Sequence, residues 1–281
     1  MLLHCGPGVL DLARPTVMGV LNVTPDSFSD GGHYLDADRA IERALQMAAE
    51  GAAIIDIGGE STRPGAAPVS VDEELRRVIP VIEALKGRTS AVLSVDTSRP
   101  EVMRAASRAG AGLLNDVRAL RLPGALAAAR ESGCAVCLMH MQGEPGSMQR
   151  EPHYQDVVGE VREFLRERTQ ACVKAGIPEE RIVIDPGIGF GKTLDHNLTL
   201  VRRLPELAAD GRPLLVGLSR KSTIGAITGR GAQERLPGSL AMAAIAVLKG
   251  AVIIRAHDVA ATLDAMKVAL AVRNSSAERG G

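Results

Sequence analysis

The sequence predicts a closed (β/α)8 barrel, and three observations predict it. A helix-like stretch closes on a glycine at Gly51, Gly87, Gly110, Gly133, Gly176, Gly211 and Gly250, and a short aliphatic run begins within a few residues of each. Glycine just past a helix end supplies the left-handed backbone that other residues resist. The runs themselves (AAIIDI, SAVLSVD, AGLLND, CAVCLMH, RIVIDPG, PLLVGLS and AVIIRAHD, with TVMGVLN at 16–22 ahead of the first helix) are almost continuously apolar. Such runs read as strands covered on both faces of a parallel sheet. Eight strand–helix units within 281 residues then match a barrel that runs as one domain over 1–281.

Taken in order, residues 1–15 read as a β-hairpin turning at Gly6-Pro7-Gly8 and closing the barrel floor. The first strand runs into the loop NVTPDSFSDGGHY, after which Asp36 is expected to cap a helix ending at Gly51. The second strand runs into GGESTRPGAAPVS. Both loops exceed the usual length of a strand-to-helix connection, and long loops of this kind are mostly functional. Ser98 and Pro100 read as the cap and first turn of the next helix, and MQGEPGSMQREPHYQ follows the fifth strand. The seventh strand passes through GLSRKS into a helix near Ser222, the last helix spans 258–273, and 274–281 reads as a disordered tail.

Composition removes several classes of function. Basic and acidic residues balance at 33 each, so no basic footprint points to nucleic acid. No apolar run reaches membrane-spanning length, and MLLHCGPGVLDL lacks the basic and apolar segments of a secretion signal, so a cytoplasmic enzyme is the expectation. Cys134 and Cys137 have CxxC spacing but fall in one strand, where residues three apart face opposite ways; they and Cys5 and Cys172 read as buried thiols. With no Trp, three Phe and two Tyr, the core is aliphatic, and loop residues Phe28 and Phe190 stand out as covers for a flat ligand.

A barrel of this kind carries its chemistry at the carboxyl ends of its strands. Here those ends are Asn22, Asp56, Asp96, Asn115, Asp116, His140, Asp185, Ser219, Arg255 and His257. DPGIGFGKT looks at first like a phosphate loop, but Pro186 occupies the position where that motif needs glycine. Asp185 is instead suited to accept two parallel N–H donors, as an amino-pyrimidinone edge offers, unless it serves a structural salt bridge. Asp96 and Asn115, on adjacent strands, suggest a planar heterocycle rich in donors and acceptors, with capping of the strand-to-helix turn as the plainer alternative for Asn115 or Asp116. SRKS at 219–222 puts two cations and two hydroxyls at a helix start, which suits an anion. Arg255 and His257 beside Asn22 form a plausible diphosphate clamp, with the Asn22 carbonyl available to Mg2+. His140 is left as a residue supporting the site from behind.

Read together, MGVLNVTPDSFSDGG, DIGGESTRPGA, SVDTSRPEV, LNDV, MHMQGEPGSMQ, DPGIGFGK, GLSRKS and RAHD resemble the dihydropteroate synthase family, in that family's order from about Met18 to Asp258. One small departure is Ala256, where the family pattern leads one to expect Val. The resemblance implies a transferase, a sulfonamide target, that joins 4-aminobenzoate to (7,8-dihydropterin-6-yl)methyl diphosphate with Mg2+, giving 7,8-dihydropteroate and diphosphate. It implies that Asp96, Asn115, Asp185 and Lys221 bind the pterin edge and Arg255 its face. Asn22 would hold Mg2+, and Thr62, Arg63, Arg255 and His257 the diphosphate. Phe28, Pro64, Phe190 and Ser222 would line the aminobenzoate pocket, and Asp30 would lie near the developing cation; Asp30, Arg63, Lys221, Arg255 and His257 are the expected catalytic set. The absence of a nucleophile–base pair fits an SN1-like substitution. A homodimer through barrel helices is also implied, with LPGSLAMAAIAVLKG a candidate interface. A pterin-dependent methyltransferase barrel would not need SRKS, RAHD or the first loop. A non-catalytic pterin-binding paralogue would have lost residues of the clamp.

Overall fold

Each predicted aliphatic run is a strand. The computed structural model describes residues 1–24, 33–60, 69–143, 148 and 151–275, with the backbone alone for 33–36. The barrel strands are β3 (Thr16–Asn22), β4 (Ile54–Gly58), β5 (Val92–Asp96), β6 (Leu113–Asp116), β7 (Ala135–Met139), β8 (Ile182–Asp185), β9 (Leu215–Gly217) and β10 (Ile253–Ala256). They form one parallel sheet in the order β8-β7-β6-β5-β4-β3-β10-β9. A parallel bridge between Ile184 and Leu214 closes it, with the Ile184 N–H donating to the Pro213 carbonyl at 3.0 Å. Around it lie α1 (His33–Ala49), α2 (Val71–Leu85), α3 (Pro100–Ala109), α4 (Ala125–Ser132), α5 (Val157–Lys174), α6 (Leu194–Arg202), α7 (Leu204–Ala208), α8 (Ser222–Thr228), α9 (Leu236–Leu248) and α10 (Val259–Asn274). All seven helix-closing glycines have positive φ, from 69° at Gly133 to 131° at Gly110.

Strand register sorts the side chains into two layers. Asp56 is level with Val20 and Ser94, Asp96 with Asn115, Asn115 with Cys137, and Met139 with Asp185. Because alternate residues share a face, one file of each strand points into the barrel and the other under the helices. Ile55, Ile57, Val95, Leu114, Val136 and Leu138 pack beneath α2–α4. Val17, Ile184, Val216 and Ile254 do so on the opposite side. Each fully buried side chain of this kind contributes about 1.5–3 kcal/mol. The lower part of the inward file, including Met18, Ile54, Leu113, Cys137, Val183 and Ile253, is apolar and packs on Leu3, Cys5 and Leu12.

Leu3 and Cys5 belong to the N-terminal hairpin, β1 (Leu2–Cys5) and β2 (Gly8–Asp11), and Leu12 follows it directly; the register pairs Cys5 with Gly8 around Gly6-Pro7. The hairpin therefore plugs the floor and leaves only the carboxyl ends of the strands open. All four cysteines are free and buried; Cys134 lies one residue ahead of β7, and not in it as expected, under the helices, while Cys137 is inside the barrel.

Two expected caps differ. Helix α1 begins at His33, so Asp36 lies in its first turn and not ahead of it. Helix α3 is entered from Arg99 with Pro100 in its first turn, and the Ser98 hydroxyl donates to Asp116 instead of capping. A buried acceptor on the next strand outcompetes the local cap. The proposed tail beyond Ser275 lies outside the described residues.

Candidate active site

Above the apolar floor the inward file turns polar. Asp56 is fully buried, and its carboxylate gathers three donors from three strands. Oδ1 accepts from Ser94 Oγ at 2.6 Å, while Oδ2 accepts from Asn115 Nδ2 at 2.9 Å and Arg255 Nε at 2.7 Å. Arg255 Nη2 donates to Asp96 Oδ2 at 2.8 Å. Two carboxylates thus grip the edge of one guanidinium and fix its plane. The Asn115 amide is oriented by the same hub: its NH2 group serves Asp56, so its carbonyl is the end left to face a ligand. Burial pushes Asp96 up to about 7 against the pull of Arg255, with Asp56 and Asp116 adding to the rise. The sequence reading placed Asp56 at a strand end without giving it a role. The available signal was a lone carboxylate inside IIDIG, on a strand buried throughout.

On the other side of the mouth stand Asp185 and Lys221. Asp185 is 5% exposed, and Oδ1 accepts the Gly187 N–H at 2.7 Å. Burial raises its carboxyl, and Lys221 opposes that through space more than the backbone bond does. Lys221 donates to the Ile188 carbonyl, and its ammonium lies 4.7 Å from the centre of the Phe190 ring. Burial holds Lys221 down to about 8 despite Asp185. Between the two sides the inward positions Gly58 and Gly217 carry no side chain. A Cβ at Gly58 would sit 3.5 Å from Asp96 Cβ, and one at Gly217 3.8 Å from both Lys221 Nζ and Arg255 Cβ. Among the described residues the centre of the mouth is left open between two cations and three acceptors.

The third wall is His257, whose Nδ1 lies 3.0 Å from Ser219 Oγ and whose carbonyl accepts from Arg43 Nη2 at 3.2 Å. Asn22 ends β3 level with Gly58, half-exposed, its Oδ1 3.9 Å from where a Gly58 Cβ would lie. A single amide oxygen facing the mouth suits Mg2+, which keeps most of its waters and takes its remaining ligands from substrate phosphates. Among the described residues no group of three or more His, Cys, Asp or Glu side chains gathers for a metal.

Several sequence-derived expectations change. SRKS does not offer two cations: Arg220 has φ 58° and turns away to Asp258, with bonds of 3.1 and 2.7 Å, so Lys221 alone faces the mouth. Ser222 is the exposed first residue of α8. Asp116 points outward and caps the turn after β6, accepting from Arg118 N at 2.8 Å and Leu120 N at 2.7 Å; the turn-capping alternative holds for it and not for Asn115. His140 also points away from the mouth, against Phe164 and Lys192. Phe28, Asp30, Thr62, Arg63 and Pro64 lie outside the described residues. The described ends of the second loop are tied down, with Arg77 donating to the Gly59 carbonyl at 2.8 Å and Arg99 donating to the Val69 carbonyl.

Known proteins share this geometry and sequence. The model of the pterin binding enzyme family matches residues 18–257. The dihydropteroate synthase of Escherichia coli K12 is 56% identical over 259 residues, covering 92% of each chain. That of Haemophilus influenzae is 50% identical over 275 residues, covering 98% of this chain and all of its own. Among solved structures, Xanthomonas albilineans dihydropteroate synthase with 4-aminobenzoic acid superposes with a TM-score of 0.92 at 54% identity, covering 97% of this chain and 98% of that one. The same enzyme in complex with 7,8-dihydropteroate gives 0.89 at 51%, covering 98% and 99%. With this identity over nearly its whole length, a matching barrel and a polar mouth of the same residues that carried the sequence resemblance, the chain belongs to the dihydropteroate synthase family of pterin-binding enzymes.

Proposed function

We propose that this member of the family condenses 4-aminobenzoate with (7,8-dihydropterin-6-yl)methyl diphosphate in folate biosynthesis, by a dissociative route and with Mg2+. The observation that supports it most is the open mouth ringed by Asp96, Asn115 and Asp185 as acceptors, with Arg255 and Lys221 as fixed cations. A pterin presents a row of N–H donors on one edge and a flat π-face. Asp185 and the Asn115 carbonyl suit the edge, Asp96 a further donor, and the planar Arg255 guanidinium the face. Analogues lacking those donors would leave buried acceptors unpaired.

His257, Arg255, Thr62 and Arg63 are assigned to the diphosphate and Asn22 to Mg2+, which when bound neutralises the leaving group. The C–O bond of the methyl diphosphate breaks with its electron pair leaving on the diphosphate oxygen. The pterin methylene cation is delocalised into the ring, and Asp30 is assigned the role of stabilising it. The aminobenzoate nitrogen donates its lone pair to that carbon and loses a proton to solvent or to the diphosphate. Phe28, Pro64 and Phe190 are assigned to the aminobenzoate pocket, where they would keep water from the cation, and Ser222 to its carboxylate end. This chemistry needs no strong base, in keeping with a mouth of hydrogen-bonding groups and cations.

The enzyme is further read as a cytoplasmic homodimer. Ile245 and Leu248 of α9 and Val268 and Val272 of α10 are exposed apolar residues on two helices that pack together, and sedimentation at two concentrations tests the assembly. The test of the activity is diphosphate release from the pterin substrate with Mg2+, with and without aminobenzoate, alongside dihydropteroate by mass. Product formation that matches diphosphate supports the synthase. Tight pterin binding with no product removes it.

A further inference from the structure

The motif left over from the sequence is the Gly-Lys pair of DPGIGFGK. Its lysine, Lys192, is 3% exposed and lies deeper than either Lys221 or Arg255. Its ammonium donates to the Gly187 carbonyl at 2.9 Å, the Phe190 carbonyl at 2.9 Å and the His140 carbonyl at 3.4 Å, and lies 3.0 Å from His140 Nδ1. All four neighbours can accept. Burial and Lys192 itself hold His140 down to about 2, so the imidazole is uncharged, with Nδ1 the acceptor and the ring proton on Nε2. Burial holds Lys192 itself down to about 7 against the pull of Asp185; in its protonated form it has three protons and no lone pair, so this cradle commits every proton to the chain and leaves none for a phosphate.

What the cradle holds is the turn that forms one side of the active site. Lys221 takes the Ile188 carbonyl from the mouth, while Lys192 takes Gly187 and Phe190 from behind. The turn is pressed against the end of β7. A Cβ at Gly187 would lie 1.9 Å from the His140 carbonyl, and one at Gly191 2.4 Å from that of Gln142, with φ of 65° and 59°. The Asp185 and Asn197 side chains accept the Gly187 and Gly189 N–H groups at 2.7 Å each, and the buried cation holds the carbonyl groups of the same turn.

We propose that Lys192 is a positioning residue for the aminobenzoate side of the site: its ammonium sets the Gly187–Phe190 turn, and through it the Phe190 ring and the carbonyl that holds Lys221. The proposal rests on the reading of Phe190 as a wall of the aminobenzoate pocket. Lys192→Met removes every donor, and Lys192→Gln keeps two. In Lys192→Met the KM for aminobenzoate should rise roughly tenfold or more, as expected for a misplaced binding wall. The Kd of the pterin substrate should rise by clearly less, because Asp96, Asn115 and Arg255 across the mouth do not touch the turn and only Lys221 and Asp185 do. Lys192→Gln should fall between Lys192→Met and the unaltered protein. In a Phe190→Ala background the Lys192→Met effect should vanish. Amide exchange at 187–190 should speed up in Lys192→Met with no change along β5 and β6.

An undiminished effect in the Phe190→Ala background, unchanged exchange at 187–190, or equal losses for both substrates would overturn the proposal. Failure of both Lys192 variants to fold would make the lysine a structural staple and would also overturn it. If Phe190→Ala alone leaves the aminobenzoate KM unchanged, the pocket reading falls separately, and the exchange result still decides whether Lys192 sets the turn.

Discussion

The two sides of the barrel mouth handle buried charge in opposite ways. On the β4–β6 side, Asp56 and Asp96 are already paired with Arg255, and Asp56 also holds Ser94 and Asn115. On the β8–β9 side, Asp185 takes a backbone N–H, and Lys221, its nearest cationic influence, is bonded to a loop carbonyl and not to it. The first side is a self-satisfied scaffold that aims a guanidinium and an amide. The second keeps a carboxylate available for a ligand. A buried charge without a close partner is costly in a folded protein, and that cost is tolerated where a substrate supplies the missing donors.

The largest effect is expected on the scaffold side. Asp56→Asn breaks a buried ion pair at its hub, a loss of roughly 3–5 kcal/mol, so calorimetry should show Tm falling by about 10 °C with pterin affinity falling alongside. Lost affinity at unchanged Tm would show that Asp96 alone holds Arg255. Asp185→Asn should invert the pattern: pterin Kd rises roughly 100-fold, the worth of a charged acceptor, while Tm shifts by no more than about 2 °C. A collapse in Tm would make Asp185 a structural partner after all.

pH should resolve the two sides at smaller amplitude. Burial places Asp96 at about 7 and Lys221 at about 8. A pterin without phosphate groups should bind best between those values, weakening as Asp96 gains a proton below and as Lys221 loses one above. Stability runs the other way on the acid side. The folded value of Asp96 lies above its ordinary 3.8, so its contribution is complete below 3.8 and is lost as pH rises through 7. Titrations of binding and of Tm that moved together across this window would remove Asp96 as their common cause. Smallest of all, Ser98→Ala deletes one bond to the outward-facing Asp116 and should cost about 1 kcal/mol in denaturant melts, with pterin Kd untouched.

The eight strands were legible because each is a short aliphatic run fenced by a glycine, a signal that depends on neighbours in sequence. The inward set was legible in part: Asp96, Asn115, Asp185, Arg255 and His257 all lie within one residue of the carboxyl end of a strand and all reach the mouth. Asp56 was passed over because its importance lies in register across β4, β5, β6 and β10, which no single run displays. Arg220 misled because a residue with positive φ reverses direction between Ser219 and Lys221, and arginine gives no advance notice of that. Ser98 has a cap's chemistry, and a tertiary acceptor claimed it. Lys192 was read only as part of a failed phosphate loop, since a cradle made of carbonyl groups leaves no mark in side-chain identity.

The central claim, that Asp185 is the open acceptor for the donor edge of the pterin, is met most directly by a binding cycle. Dihydropterin and its analogue lacking the 2-amino group are titrated into the unaltered protein and into Asp185→Asn. The unaltered protein should prefer the parent ligand by roughly 100-fold or more, because the analogue leaves a buried carboxylate unpaired, and the variant should discriminate by no more than about threefold. Equal discrimination by both proteins would contradict the account and move recognition of that edge to another residue.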